Sequence, residues 1–287
     1  MADVQDSLCR AFEQVDGVGR FSVEPWERPG GGGGVTRILR SRGHVEKAAV
    51  NRSAVWGETP PGLSETQAAA SRHFYATGVS IIVHPRNPHA PTFHANLRYF
   101  ETDTGAAWFG GGADLTPVYL YREDAAAFHR ALAGICGRHP IGDYPTWKRR
   151  CDEYFYLPHR GEARGVGGIF FDHLDDLEAA WRFVEDLGRN LGSVYLPILT
   201  RRLGTAYGDQ ERIWQQRRRG RYVEFNLIWD RGTRFGLETG GRTESILASL
   251  PPHARWDTDE DPPPGSPERE LVDLLRGDPV DWSSVSI

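Results

Sequence analysis

Apolar residues Val4, Leu8, Phe12 and Val15 recur at helical spacing and Gly17 follows, so the chain is expected to open with a helix over Asp3–Val15. Near Ala76 the texture changes to period-two runs. Val79–His84 is β-branched and bounded by Pro85, and Thr92–Glu101 forms a second strand-like run beyond the turn-rich PRNPHAP. Thr102–Gly105 then turns the chain into Ala107–Gly110. This order predicts an antiparallel meander. Glu123–Cys136 reads as a helix with Phe128, Leu132 and Ile135 on one face, and Trp147–Tyr156 has weaker helical spacing. Val166–Phe171 predicts a short buried strand, Leu174–Ser193 a longer helix, and Tyr222–Trp229 a further strand ended by Asp230-Arg231-Gly232. The five-glycine run Gly30–Gly34 has no Gly-Lys-Ser/Thr after it, so it reads as a flexible turn and not a phosphate loop. The acidic, Pro-rich stretch near 257–265 is a surface linker. After it Ser266 can cap a short helix with Pro267 at its first position and Gly277 as its stop. The expectation is an α+β protein, one domain over 1–287, with an antiparallel sheet and helices against its faces.

The hairpin carries the most chemistry. Strand residues two apart share a face, so His94, Asn96 and Arg98 point one way, while Phe93, Ala95, Leu97 and Tyr99 point the other. If the two strands pair through PRNPHAP, Ser80 and His84 join that polar face. A solvent-facing strand would also be polar on one side. Yet exposed strand faces are usually Thr, Lys, Glu and Ser, whereas this one offers a proton carrier, an amide and an anion clamp. In WFGGGADLTP the three glycines let backbone approach a ligand closely, and Asp114 is expected to close the turn as a carboxylate able to accept N–H protons. His84, His94, His129 and His159 could offer imidazoles to a metal, although their spacing matches no compact motif and any one of them can be structural. Gly240-Gly241-Arg242 could present N–H groups and a guanidinium to a carboxylate, or simply form a turn before a helix over Thr243–Leu250.

Composition removes other classes. Nine Trp, ten Tyr and thirteen Phe give too much apolar surface for a disordered chain, and a net charge of -5 argues against nucleic acid as the main partner. Lys47 and Lys148 are the only lysines, a bias that a high-GC genome would produce. Cys9, Cys136 and Cys151 have no C-x-x-C spacing, which suits a reducing compartment. The N-terminal residues lack an apolar signal-peptide core, and Val79–Val83 is far too short to span a bilayer. A soluble, cytoplasmic protein is expected.

VSIIVHPRNPHAPTFHANLRYFE, WFGGGADLTPVYLY, CDEYFYLPHRGEARGVGGIFFDHL and YVEFNLIWDRGTRFGLETGGRTESILASLPP together resemble the oxygen-dependent coproporphyrinogen III oxidase family, collinearly over roughly Gly31–Trp256. His89, the residue before Glu46 and Val118 depart from the pattern, all outside the polar face. The resemblance implies a large flat antiparallel sheet flanked by helices on both faces. It further implies oxidative decarboxylation of two propionates of coproporphyrinogen III to vinyl groups, giving protoporphyrinogen IX in haem biosynthesis. Molecular oxygen would be co-substrate, with no flavin or haem. Carried over by motif, Ser80, Asn96, Leu97, Arg98, Gly240, Gly241 and Arg242 are substrate-binding positions. His94 is the proton donor, Asp114 the carboxylate for pyrrole N–H groups, and Arg98 a third catalytic position. His84, His94, His129 and His159 fall where some bacterial members hold a divalent metal such as manganese. Tyr222–Asp257 resembles a homodimer interface. The alternatives are a tetrapyrrole carrier without chemistry and a histidine-metal oxygenase.

Overall fold

A computed structural model describes residues 1–59, 71–238, 241–257 and 261–285. A helix α1 (Ala2–Asp16) leads into six consecutive strands: β1 (Ser22–Glu27), β2 (Gly32–Arg40), β3 (Val45–Glu58), β4 (His73–Pro85), β5 (Thr92–Thr102) and β6 (Ala107–Thr116). After α2 (Arg122–Cys136), α3 (Tyr144–Tyr154) and the small hairpin β7 (Tyr156–Leu157) and β8 (Glu162–Ala163), the chain returns as β9 (Gly167–Leu174) beside β6. The result is a seven-stranded antiparallel sheet of order β1-β2-β3-β4-β5-β6-β9. Then come α4 (Leu177–Arg202), α5 (Asp209–Glu224), a π-helical turn (Phe225–Trp229), α6 (Arg231–Glu238), α7 (Thr243–Ile246), a 3-10 turn (Leu247–Ser249) and α8 (Pro267–Arg276).

The pleat divides the sheet into two surfaces. Val50, Val79, Ile81, Phe93, Ala95, Leu97, Leu115, Ile169 and Phe171 face one side, where α1, α2 and α4 bury Leu8, Phe12, Phe128, Leu132, Phe183, Leu187 and Tyr195 against them. This is the main core. Phe93 lies at its centre, fully buried and stacked on Tyr195 at 4.6 Å between ring centroids. On the other surface a thinner apolar patch, Ile38, Ala49 and Ile82, is covered by Tyr222 of α5 and Ala248 of the 3-10 turn. The layering is therefore helices, sheet, helices, as expected.

Three local expectations are corrected. Tyr222–Trp229 is not a strand: α5 runs to Glu224 and continues as the π-turn. Its buried residues Arg218, Arg219, Tyr222, Phe225 and Asn226 fall three or four apart, a helical spacing that the apolar stretch Val223–Trp229 masks. The glycines of WFGGGADLTP lie within β6, not in a loop, and Asp114 is mid-strand opposite His94. A Cβ on Gly111 would stand 2.3 Å from the Asn96 carbonyl oxygen, and one on Gly112 would stand 2.5 Å from that of Ile169, so the ladder closes only around glycine. Within the run Gly30–Gly34, Gly32 to Gly34 are part of β2, where Gly34 leaves space for the Trp26 ring. The first three strands, not anticipated from the pattern, supply nearly half of the sheet.

Because Phe93 immediately precedes His94 and anchors β5 in the core, Phe93→Ala is expected to cost about 3–5 kcal/mol of stability, read as a lower urea midpoint with unchanged slope.

Candidate functional site

The second surface has a floor of residues in three rows across the strands. One row is Thr36, Asn51, Ser80, Asn96, Gly112 and Phe170. A second is Ile38, Ala49, Ile82, His94, Asp114 and Gly168. The third is Gly34, Ser53, Gly78, Arg98 and Gly110. Glycine and other small residues keep much of the floor bare, so that Ser80, His94, Asn96 and Arg98 stand as half-buried polar groups on an otherwise flat surface. Ser80 faces Asn96 directly, and His84 follows on the same side of β4. The expected polar face exists. Leu97 does not belong to it: its side chain is buried in the main core on the reverse side.

His94 and Asp114 form a dyad. Asp114 Oδ1 accepts a hydrogen bond from His94 Nδ1 at 2.7 Å, which leaves Nε2 as the ring nitrogen not held by Asp114. The second carboxylate oxygen of Asp114 accepts from Arg164 Nη2 at 2.6 Å. Asp114 is 2% exposed and both its oxygens are engaged. It thus stands behind His94 in mid-strand and not at the turn where the sequence placed it. Burial alone would push its carboxyl up; the Arg164 charge and the His94 hydrogen bond outweigh this and hold it below the ordinary carboxylate range.

Arg164, which the sequence reading missed, is itself buried. Its Nη1 donates to Asn226 Oδ1 at 3.0 Å, and its guanidinium lies 3.9 Å over the Phe155 ring, 4.6 Å from Tyr222 and 4.7 Å from Phe225. Asn226 Nδ2 in turn donates to Ser249 Oγ at 3.2 Å. A buried arginine before a strand leaves no periodic trace in sequence, because its partners come from β6 and the π-turn. Arg231 was read only as part of a turn. It lies over the rings of Tyr154 and Phe170 and so brings another cation to the β9 end of the floor. Asn96 Oδ1 is buried without a hydrogen-bond partner among the described residues, as is Arg164 Nε.

The remaining positions are dispersed. Arg242 is paired with Glu24 of β1 at 2.5 Å, and the Gly241 N–H donates to the Gly236 carbonyl at 2.8 Å. Gly240 lies outside the described residues. Next to them, Ser245 bonds Thr36 and Asn51 of the floor, which ties this segment down as a roof.

The four histidines do not form one metal centre. His84 Nε2 donates to the Ser249 carbonyl at 2.9 Å, and its Nδ1 faces Thr92 Oγ1 at 3.4 Å. His129 Nε2 donates to the Val166 carbonyl at 3.0 Å, and its Nδ1 accepts from Tyr144 OH at 2.8 Å. Burial keeps both rings neutral, driving His84 well below its usual pKa and His129 down to about 3. His159 donates to Glu224 at 2.8 Å and accepts from Trp229 Nε1 at 3.1 Å, while His94 is committed to Asp114. Each imidazole has its own partners, and no three His, Cys, Asp or Glu side chains converge among the described residues. The ligand set expected from sequence therefore does not fit a shared ion. A separate cavity of about 790 Å³ between α3 and the C-terminal segment contains none of these residues.

In this α+β fold Ser80, His94, Asn96 and Arg98 thus share one face of the sheet, with Asp114 and Arg164 behind His94. The model of the coproporphyrinogen III oxidase family matches residues 1–282 of the 287. The chain belongs to that family, enzymes that oxidise coproporphyrinogen III in haem and porphyrin biosynthesis. No helix among the described residues is long and apolar enough to cross a membrane.

Arg164→Met would leave Asp114 as a buried, half-paired charge and is expected to cost about 3–5 kcal/mol. Because the folded-state carboxyl of Asp114 is depressed, its contribution to stability is fully present above the unfolded value near 3.8 and is lost as pH falls through the folded value. Chemical denaturation between pH 3 and pH 7 should show this acid loss in the native protein and a shallower loss in Asp114→Asn.

Proposed function

We propose that the protein catalyses the oxygen-dependent decarboxylation of two propionates of coproporphyrinogen III to vinyl groups, yielding protoporphyrinogen IX. The observation that carries this is the His94–Asp114–Arg164 arrangement set beside Arg98 on a side-chain-poor floor. For each propionate the balance is –CH2–CH2–COO⁻ plus O2 and a proton going to –CH=CH2, CO2 and H2O2. Two electrons leave the side chain for oxygen, and the electron pair of the breaking C–C bond becomes the new double bond. A porphyrinogen is electron-rich enough to meet oxygen without flavin or haem, so the protein's part is to orient, to move a proton and to exclude water.

Arg98 suits the grip on a propionate carboxylate. His94 Nε2 suits the proton at the macrocycle, with Asp114 fixing the tautomer by holding Nδ1–H. Asn96 and Ser80, paired across β4 and β5 on the polar face, suit polar contacts to the substrate, while both oxygens of the buried Asp114 are already engaged. Arg231 and Arg242 lie at opposite ends of the floor, towards β9 and β1, in keeping with a substrate that carries carboxylates around its rim. The reacting carboxylate must finish as neutral CO2, so over-tight binding of that group would slow the step.

A homodimer is part of the same proposal. Leu227, Ile228 and Trp229 of the π-turn are 45%, 48% and 41% exposed, and Leu237 and Trp256 add to the exposed apolar surface of Tyr222–Asp257. Ile228→Asp is expected to shift sedimentation equilibrium from dimer to monomer; an unchanged mass would overturn this assignment.

The deciding assay mixes anaerobic coproporphyrinogen III with chelator-treated protein, admits air, and follows protoporphyrin fluorescence after oxidation. Product is expected without added metal. Restoration of activity only by manganese or another ion would show a metal requirement, and no product under either condition would leave a binding protein. In the same assay His94→Asn should lower kcat by roughly 10²–10⁴-fold with little change in KM.

A further inference from the structure

The pairing of β6 with β9 slips between Phe109 and Gly111. Phe109 pairs with Leu174 and Gly111 with Phe171, so Asp172 and His173 together oppose the single residue Gly110. This is a β-bulge, a device that re-aims a side chain. His173 has φ 55°, the only non-glycine residue with positive φ among those described, and its ring lies against Trp108 at 4.9 Å. Such a backbone is strained for a residue with a Cβ and persists where its surroundings hold it. Its effect is to turn the Asp172 carboxylate onto the floor. Oδ1 accepts from the His173 N–H at 3.0 Å, and Oδ2 meets Arg98 Nη2 at 2.7 Å.

The pair crosses directly above Gly110. A Cβ there would stand 2.6 Å from Asp172 Oδ1 and 2.8 Å from Arg98 Nε. Two features, a bulge that contains the left-handed His173 and the glycine opposite it, thus accommodate one contact between Arg98 and a carboxylate of the protein itself. Both partners remain partly accessible, Arg98 at 39% and Asp172 at 22%, so a ligand can reach the guanidinium while Asp172 holds it.

We propose that Asp172 is a specificity-determining residue: a resident carboxylate that occupies Arg98 in the free enzyme and yields it only to a carboxylate of the substrate. This rests on Arg98 being a propionate clamp. Asp172 keeps the guanidinium pointed over the floor and sets a threshold that a neutral or singly anchored side chain does not pass.

The test is Asp172→Asn, which preserves shape and removes the charge, with Asp172→Ala as a second variant and thermal melts to verify folding. KM for coproporphyrinogen III is expected to fall roughly fivefold with kcat within about twofold, as removal of a competing half-exposed ion pair implies. The Kd of coproporphyrin III, an oxidised tetracarboxylate that does not turn over, should fall by the same factor when read by tryptophan quenching. In an Arg98→Ala background the second substitution should change neither constant. A raised or unchanged KM and Kd in both folded Asp172 variants would overturn the proposal. If Arg98→Ala itself leaves KM and Kd unaltered, the clamp reading fails; if Arg98→Ala raises them while Asp172→Asn does not lower them, only the resident carboxylate fails.

Discussion

The buried carboxylate of Asp114 is where three parts of the chain that are distant in sequence meet. It belongs to a central strand, it is gripped by Arg164 from the approach to β9, and Arg164 is gripped in turn by Asn226 of the π-turn. Taking such charges out of water costs several kcal/mol per ion, which their mutual attraction and further contacts offset. The His94 bond fills Asp114, and the rings of Phe155, Tyr222 and Phe225 enclose the guanidinium. These contacts couple the orientation of the His94 imidazole to the sheet and to the π-turn. A hydrophobic triad of the same volume would hold the layers at lower cost, so the charges answer a need other than stability.

The two surfaces of the sheet divide the work. One carries the apolar core that fixes the strands, with α4 laid across it; the other is stripped of bulk and left with isolated polar groups. A single period-two pattern produces both, since Phe93, Ala95 and Leu97 alternate with His94, Asn96 and Arg98. The rigidity needed for catalysis is supplied from behind the site, and the substrate side is free to be flat.

Alternation of this kind was the most legible feature of the sequence, as were the helices with clean termini. Helix α1 ends at Gly17 in a left-handed conformation, and α8 begins at Ser266, whose hydroxyl accepts from the Arg269 N–H. Illegible features were those in which distant partners decide. Strands β1 to β3 lie among glycines and mixed residues, and successive pairing, β1 on β2, β2 on β3 and β3 on β4, is what holds them extended. The π-turn presents an apolar string of which only Phe225 is buried, among Cys151, Phe155 and Leu157, partners distant in sequence. Arg164 and Asp172 carry no local signature, because one is defined by an aromatic box drawn from three segments and the other by a bulge. His84, His129 and His159 are the converse case. Chemistry-bearing residues chosen by type proved to be separate fastenings, each joined to backbone or to a neighbouring side chain.

The bare floor constrains how this protein can change over generations. At Gly34, Gly78, Gly112 and Gly168 the smallest possible replacement would collide with the backbone of a neighbouring strand. No gradual series of substitutions leads away from a glycine so placed, because the first step is already obstructed. Drift in substrate preference must then arise in the roof and at the rim, where side chains exist to be exchanged. Diversification of such a scaffold would leave the sheet invariant and accumulate in the helices above it.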